Sequence, residues 1–329
     1  FGSCAKHWQH QPIWNAIIAK QPDLFLFIGD NIYADTDGRT AWEVTKGQLT
    51  GEWNRLADKP EFQKARAAFP FLATWDNHDY GSHAGGAEVP TKHDAKECFL
   101  TFFGEPKTSP RWTRSGIYDA KIIGPVGQRV QIILLDTKFN RSAFKKDPTP
   151  KEERLKSGKV GGYLPDDDPS KTHLGEKQWS WLETELQKPA ELRLVCSSIQ
   201  VIPDQKGMDE WGNFPRERQR LFDLIAKTNA NDVILLSGNV HFAEISTTQI
   251  SKLNSTPIPL LEFTSSGMTH VEQAYGDAAN RYRVAGPFVD LNFGLVEINW
   301  DDGIAKLTAC DVNGNERFHH DLSISSIQH

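Results

Sequence analysis

Leu24-Phe25-Leu26-Phe27-Ile28 is wholly apolar and stops abruptly on Gly29-Asp30. A continuous apolar run bounded by turn signals is the pattern of a strand buried on both faces. Gly29 permits a sharp turn, which stands the Asp30 carboxylate at the carboxyl edge of a sheet, where open α/β folds place their ligands. Tyr33 follows closely enough to aim at the same point. The event recurs along the chain. Phe71-Leu72-Ala73-Thr74-Trp75 runs into Asp76-Asn77-His78-Asp79-Tyr80-Gly81. Leu192-Arg193-Leu194-Val195-Cys196 runs into Ser197-Ser198-Ile199-Gln200, and Val233-Ile234-Leu235-Leu236-Ser237 into Gly238-Asn239-Val240-His241. One Asn or Gln at a strand end reads as a satisfied polar cap. Four such ends in order read as metal ligands along one sheet edge, because carboxylates, amides and imidazoles are cation donors.

Further strands are expected at 258–264, 293–299 and 304–310, beside those at 23–29, 71–75, 130–136, 192–198 and 233–238. Trp179, Leu182 and Leu186 recur on one face of a helix over 175–188, and another helix starts near Pro215, with Phe222 and Ile225 inward. Stretches 34–60, 80–95 and 138–172 read as long loops that frame the site. Helices alternate with the earlier strands and are sparse among the later ones. That mixture predicts one α/β domain over 1–329: two mixed β-sheets sandwiched between helices. A chain of 329 residues can bury such a core.

The net charge of -6, without a Lys/Arg block, argues against a nucleic-acid surface. No apolar run reaches the length of a membrane span. Cys4, Cys98, Cys196 and Cys310 are scattered and form no disulfide scaffold. Buried thiols are expected for the last three, while Cys4, in Phe1-Gly2-Ser3-Cys4-Ala5, stands apart. The carboxylates Asp166, Asp167 and Asp168 lack the spacing of a calcium-binding helix–loop–helix and read as a solvated loop. His270, His319 and His320 read as surface residues.

Gly29-Asp30, Asn77-His78-Asp79 and Gly238-Asn239-Val240-His241 resemble the ordered motifs of the calcineurin-like metallophosphatases. Cys4, Asp30 with Tyr33, Trp75 to Gly81, Leu134-Leu135-Asp136-Thr137 and Gly175-Glu176-Lys177-Gln178-Trp179 are similar to one branch, the PhoD-type alkaline phosphatases. The resemblance runs from Cys4 to about Asn299. It implies a four-layer αββα sandwich, without the extra N-terminal domain of longer PhoD-type enzymes, and two metals bridged by Asp30. Cys4, Asp30, Tyr33 and His241 would hold the first. Thiolate, phenolate and carboxylate together favour ferric iron over zinc. Asp30, Asn77, Gln200 and Asn239 would hold the second. Their all-oxygen shell suits calcium, and zinc, manganese or magnesium are the alternative metals for the pair as a whole. Asn77 and Asn239 are amides where PhoD-type proteins more often have acids, which lowers the charge of the second position.

By the same resemblance His78 would protonate the leaving alkoxide, with Asp79 holding its tautomer. Tyr80, His83, Lys138, Arg141 and Trp211 are candidates to line the pocket or meet the phosphate. The implied function is hydrolysis of phosphoric mono- or diesters by a metal-bound hydroxide. A phospholipase, an organophosphate triesterase and a non-catalytic metal-stabilised binding module are the alternatives. The implied partner is a small phosphate ester, and the implied protein is an exported monomer.

Overall fold

The computed structural model describes residues 1–35, 44–83, 85–228, 230–251 and 257–324. Its strands are β1 (Phe25–Ile28), β2 (Phe71–Thr74), β3 (Asp119–Ile123), β4 (Val130–Leu134), β5 (Lys145–Lys146), β6 (Tyr163–Leu164) and β7 (Leu192–Cys196). They continue with β8 (Val233–Ser237), β9 (Ala243–Ile250), β10 (Ile258–Ser265), β11 (Arg283–Phe288), β12 (Asn292–Asn299), β13 (Ile304–Asp311) and β14 (Glu316–Ser323). The helices are α1 (Ile13–Ala19), α2 (Lys46–Ala57), α3 (Pro60–Ala68), α4 (Asn77–Tyr80), α5 (Lys92–Phe102), α6 (Lys151–Lys156), α7 (Glu176–Leu186) and α8 (Pro215–Lys227). Among the described residues no helix is long and apolar enough to cross a membrane.

One sheet has the order β11-β9-β10-β8-β7-β4-β3. Its centre is parallel, from β4 through β7 and β8 to β10, and its margins are antiparallel. The parallel pair β1-β2 and the antiparallel β12-β13-β14 belong to the facing layer. The segment Phe1-Gly2 joins these two parts. The Gly2 N–H donates to Leu26 O (3.1 Å) and Ile28 N–H to Gly2 O (3.0 Å), while Gly294 N–H donates to Phe1 O (2.9 Å).

The apolar runs are continuous because each central strand is covered on both faces. Leu26 and Ile28 of β1, Ile132 and Leu134 of β4, and Ile234 and Leu236 of β8 share the core between the sheets. The alternate residues point outward. Phe25 and Phe27 meet Trp14 of α1 and Phe62 of α3, with Trp14 edge-on to Phe25 at 4.9 Å. Val195 and Leu235 meet Trp179, Leu182 and Leu186 of α7 and Leu221 and Ile225 of α8. The four-layer sandwich is therefore present, and every expected strand and both expected helices are found.

The loop assignments need correction. Residues 34–60 contain α2, 80–95 contain the start of α5, and 138–172 contain α6 with the short pair β5-β6. Within the first stretch, 36–43 lie outside the described residues, as does 84 in the second. Helix α2 is set by a capping box, with the Thr45 hydroxyl taking the Gln48 N–H and the Gln48 amide oxygen taking the Thr45 N–H. Only Leu49, Trp53 and Leu56 of it are buried, a thin stripe in a polar sequence.

Gly294 accepts the Phe1 ring at the seam of the facing sheet. A Cβ there would lie 2.1 Å from a ring carbon, and the ring also packs edge-on against Phe263 at 5.0 Å. Gly294→Ala should lower stability by about 1–3 kcal/mol, the range for overpacking a filled core. A urea midpoint equal to wild type would contradict this account of the seam.

Candidate metal centre

Strands β1, β2, β7 and β8 end at the same side of the sandwich. The segment after Gly2 runs parallel to β1 and emerges beside them, with Cys4 N–H on Gly29 O (3.3 Å) and Ala5 N–H on Asp30 O (2.9 Å). Among the described residues, the non-glycine positions with positive φ are Cys4 (62°), Gln21 (50°), Asp30 (51°), Asp232 (48°), Asn239 (68°) and His241 (62°). Four of these six belong to this edge. A left-handed non-glycine residue costs about 1–3 kcal/mol and persists only where its surroundings over-determine it. Three of these turned residues, Cys4, Asp30 and His241, bring their ligand atoms into one volume.

Ligand atoms of Cys4, Asp30 and His241 all lie within 4.8 Å of one another. Cys4 Sγ is 3.4 Å from Asp30 Oδ2 and 3.0 Å from Ser266 Oγ. Ser266 Oγ accepts the His241 backbone N–H (2.9 Å), so its own proton is free to point at the sulfur. Tyr33 completes the group. Its hydroxyl contacts the Cys4 thiol and lies 3.2 Å from His270 Nε2.

The electrostatics of this group test whether it suits a cation. Burial pushes the Cys4 thiol up. Burial first, and then Cys4, Asp76 and Asp79, push Asp30 well above the carboxylate range, with Lys138 opposing. Burial, followed by Cys4 and Asp30, pushes Tyr33 up as well. Burial lowers His241 to about 4, which leaves its ring neutral and its lone pair available. Several acidic groups crowded out of water, with one buried ammonium nearby, are the donor set that a multivalent cation would satisfy.

A second set consists of amides. Asn77 Nδ2 lies 3.2 Å from His83 Nδ1, and Gln200 Nε2 donates to Glu244 Oε1 (2.8 Å) and Thr264 Oγ1 (2.9 Å). Asn239 Nδ2 donates to Asp209 O at 3.4 Å. The nitrogen of each amide is engaged, while Asn77 Oδ1 and Gln200 Oε1 are buried without a hydrogen-bond partner. An orphaned buried acceptor costs about 1–3 kcal/mol, and a hard cation is what such oxygens fit.

His78 stands beside both sets. Its backbone N–H donates to Asp30 Oδ1 (3.3 Å), and its ring stacks on Tyr33 at 4.1 Å. Asp35, not Asp79, holds the ring, with His78 Nδ1 2.5 Å from Asp35 Oδ1. Asp79 instead accepts the N–H groups of Ile32 (2.9 Å) and Asp76 (2.9 Å) and the Asn31 amide (3.2 Å). It is thus a clamp between the turns after β1 and β2.

The proposed pocket residues divide. His83 is exposed, and its ring centre lies 5.5 Å from that of His78. Tyr80 is fully buried and donates its hydroxyl to Gly86 O (2.9 Å). Trp211 is core, donating to Ser197 Oγ (3.0 Å) under the His173 ring. Lys138 is fully buried between Asp76 (2.7 Å) and Asp209 (3.1 Å). Arg141 is buried as well, donating to Gly85 O (2.6 Å) and lying over the Phe144 ring. Neither cation reaches solvent, so Tyr80, Lys138, Arg141 and Trp211 support the site without lining it.

His270 was expected at the surface, yet it packs on His241 at 4.5 Å and meets the Tyr33 hydroxyl. Burial lowers it to about 2, keeping it neutral. The signal for it was a fifth strand end, where 258–264 runs into Ser265, Ser266 and then His270. Asp35 carried a fainter signal, as a second carboxylate on the Asp30 loop.

The family model described as PhoD-like phosphatase matches residues 1–94 and 118–293. Alkaline phosphatase D of Bacillus subtilis (strain 168) is 26% identical across 82% of this chain and 50% of that protein. The chain therefore spans about half the length of this curated relative. A solved structure of PhoD superposes with a TM-score of 0.73 at 18% identity, over 98% of this chain and 67% of that one. GAP50, described as the anchor in the inner membrane complex of Plasmodium, superposes at 0.56 with 13% identity, over 99% and 87%. These structural likenesses support the sandwich fold.

The clamp predicts where a conservative change at this edge is felt as stability. Asp79→Asn turns an amide hydrogen toward backbone donors and should cost about 1–3 kcal/mol, the range for buried donors left unsatisfied. A urea midpoint unmoved from wild type would contradict the clamp.

Proposed function

Since this chain belongs to the PhoD-like phosphatase family, we propose that it is a metal-dependent hydrolase of phosphoric mono- or diesters. The observation that carries this reading is the meeting of three groups at one strand edge. These are the acidic donors Cys4, Asp30 and Tyr33 with His241, the amides Asn77, Gln200 and Asn239, and the His78–Asp35 pair. Asp30 would bridge. Its thiol and phenol neighbours favour ferric iron, and the amide oxygens favour calcium. When bound, such cations polarise phosphoryl oxygens and activate water.

The rest is done by side chains. Asp35 occupies His78 Nδ1 and so leaves Nε2 as the atom that can carry a proton to the leaving alkoxide. Tyr33, stacked on the ring, restricts its rotation. His83 stands on the open side, where an ester oxygen would approach. The fold alone does not decide between catalysis and anchoring. A buried carboxylate holding one imidazole nitrogen beside the acidic donors favours catalysis, because it fixes which ring nitrogen can carry a proton. The family also suggests an exported location, where the burial of all four free thiols would shield them from oxidants.

The purified protein supplied with iron and calcium should hydrolyse an alkyl phosphate, nitrophenyl phosphate or a nitrophenyl diester. Failure on all of them would overturn the reading. His78→Ala should lose about two to four orders of magnitude in kcat on the alkyl ester at unchanged metal content. The loss should be smaller for nitrophenyl phosphate, whose leaving group needs no proton, and Asp35→Asn should share this pattern in weaker form. Equal slowing of both substrates would remove the acid role.

Ferric iron on a thiolate and a phenolate gives charge-transfer colour. The iron-loaded protein should be coloured and Cys4→Ser should bleach or shift the band. An identical visible spectrum would remove Cys4 from the ligand set.

A further inference from the structure

A glutamine amide has two ends of nearly equal size, one an acceptor and the other a double donor. Which end faces a cation decides whether Gln200 attracts or repels it. Gln200 Nε2 lies 2.8 Å from Glu244 Oε1 and 2.9 Å from Thr264 Oγ1, and all three side chains are buried. Glu244 on β9 and Thr264 on β10 are cross-strand partners, so both contacts come from rigid sheet. Glu244 Oε1 also accepts from Lys206 Nζ (3.0 Å) and Asn280 Nδ2 (3.0 Å), and Oε2 from Arg283 Nε (2.5 Å).

A carboxylate facing two cations in a dry interior stays ionised and can only accept. The Gln200 atom that meets it is therefore the NH2 group. The amide oxygen is turned away from the sheet, and it is the buried oxygen without a partner. Thr264 Oγ1 accepts the second Gln200 N–H and lies 2.8 Å from Ser237 Oγ. The backbone beyond is pinned in turn, since Glu262 accepts the Val201 (2.9 Å) and Ile202 (2.6 Å) N–H groups.

We propose that Glu244 is a positioning residue that holds the Gln200 amide oxygen outward for the second cation and so selects a hard, oxygen-seeking metal there. This rests on the reading of Gln200 as a ligand. Glu244 touches no substrate. Its effect passes through the orientation of one amide, as outer partners of metal ligands act elsewhere.

The test titrates the full, iron-loaded chain with calcium chloride by calorimetry. Glu244→Gln should weaken calcium binding about 10- to 100-fold, the usual loss for an outer partner, with iron content and visible spectrum unchanged. With its oxygen held at the Oε2 place by Arg283, the new amide turns its NH2 to the Oε1 place that faces Gln200 and forces that amide to flip. Gln200→Glu combined with Glu244→Gln places a carboxylate on the cation with a donor behind it, and should restore calcium binding. A merely structural loss would not be repaired this way, and the double variant carries the test if Glu244→Gln does not fold. A double variant that folds but binds calcium weakly would overturn the proposal. Gln200→Met separates the two readings. Weakened binding in Gln200→Met, with Glu244→Gln within about twofold of wild type, would overturn the positioning role alone. Wild-type affinity in Gln200→Met would overturn the ligand reading beneath it.

Discussion

Asp30, Asp76, Asp79 and Cys4 share a volume that water barely reaches, and Lys138 is the buried ammonium set against them. Like charges out of water repel strongly, and a lone buried ion is costly. The strand edge is built around this conflict. Lys138 is divided between Asp76 and Asp209, Asp79 is surrounded by backbone donors, and Asp30 keeps the shortfall. A protein with nothing to bind there would have little reason to keep such an arrangement. Lys138 also joins layers, since it follows β4 whereas Asp76 follows β2 of the facing sheet.

The left-handed turns are the mechanical side of the same conflict. A strand end in ordinary geometry would point successive side chains to opposite faces. Cys4, Asp30, Asn239 and His241 instead leave their strands in a conformation that only dense packing and hydrogen bonding can hold. Gly238 shows how dense it is, since a Cβ there would lie 2.3 Å from Ser3 Oγ, next to Cys4. Rigidity of this kind suits a site whose donors must be set before a ligand arrives.

Much of this was legible in the chain because burial on both faces leaves a simple mark. Leu24 to Ile28 and Val233 to Leu236 are apolar without interruption, and their ends name the donors. What escaped was of two kinds. Helix α2 buries a narrow stripe within a polar sequence, α5 buries Lys96 among its apolar residues, and β9 and β14 alternate with many polar residues, so their patterns resemble loops. The other kind depends on distance between remote segments. Lys138 and Arg141 look like surface cations until their partners Asp209 and Gly85 are brought to them. Nothing local distinguishes Asp35 from Asp79 as the partner of His78. That choice is made by how the turn after β1 folds over α4.

The seam at Phe1-Gly2 has a consequence for the order of assembly. The hydrogen bonds that join Phe1 to Gly294 span 293 positions, and Cys4 meets Ser266 across 262. Contacts of such separation form late, because a long loop must close before they give anything back. During synthesis the sulfur of Cys4 therefore precedes Ser266 by 262 positions and waits for that partner while most of the sandwich between them is made. Its most vulnerable period precedes the native state.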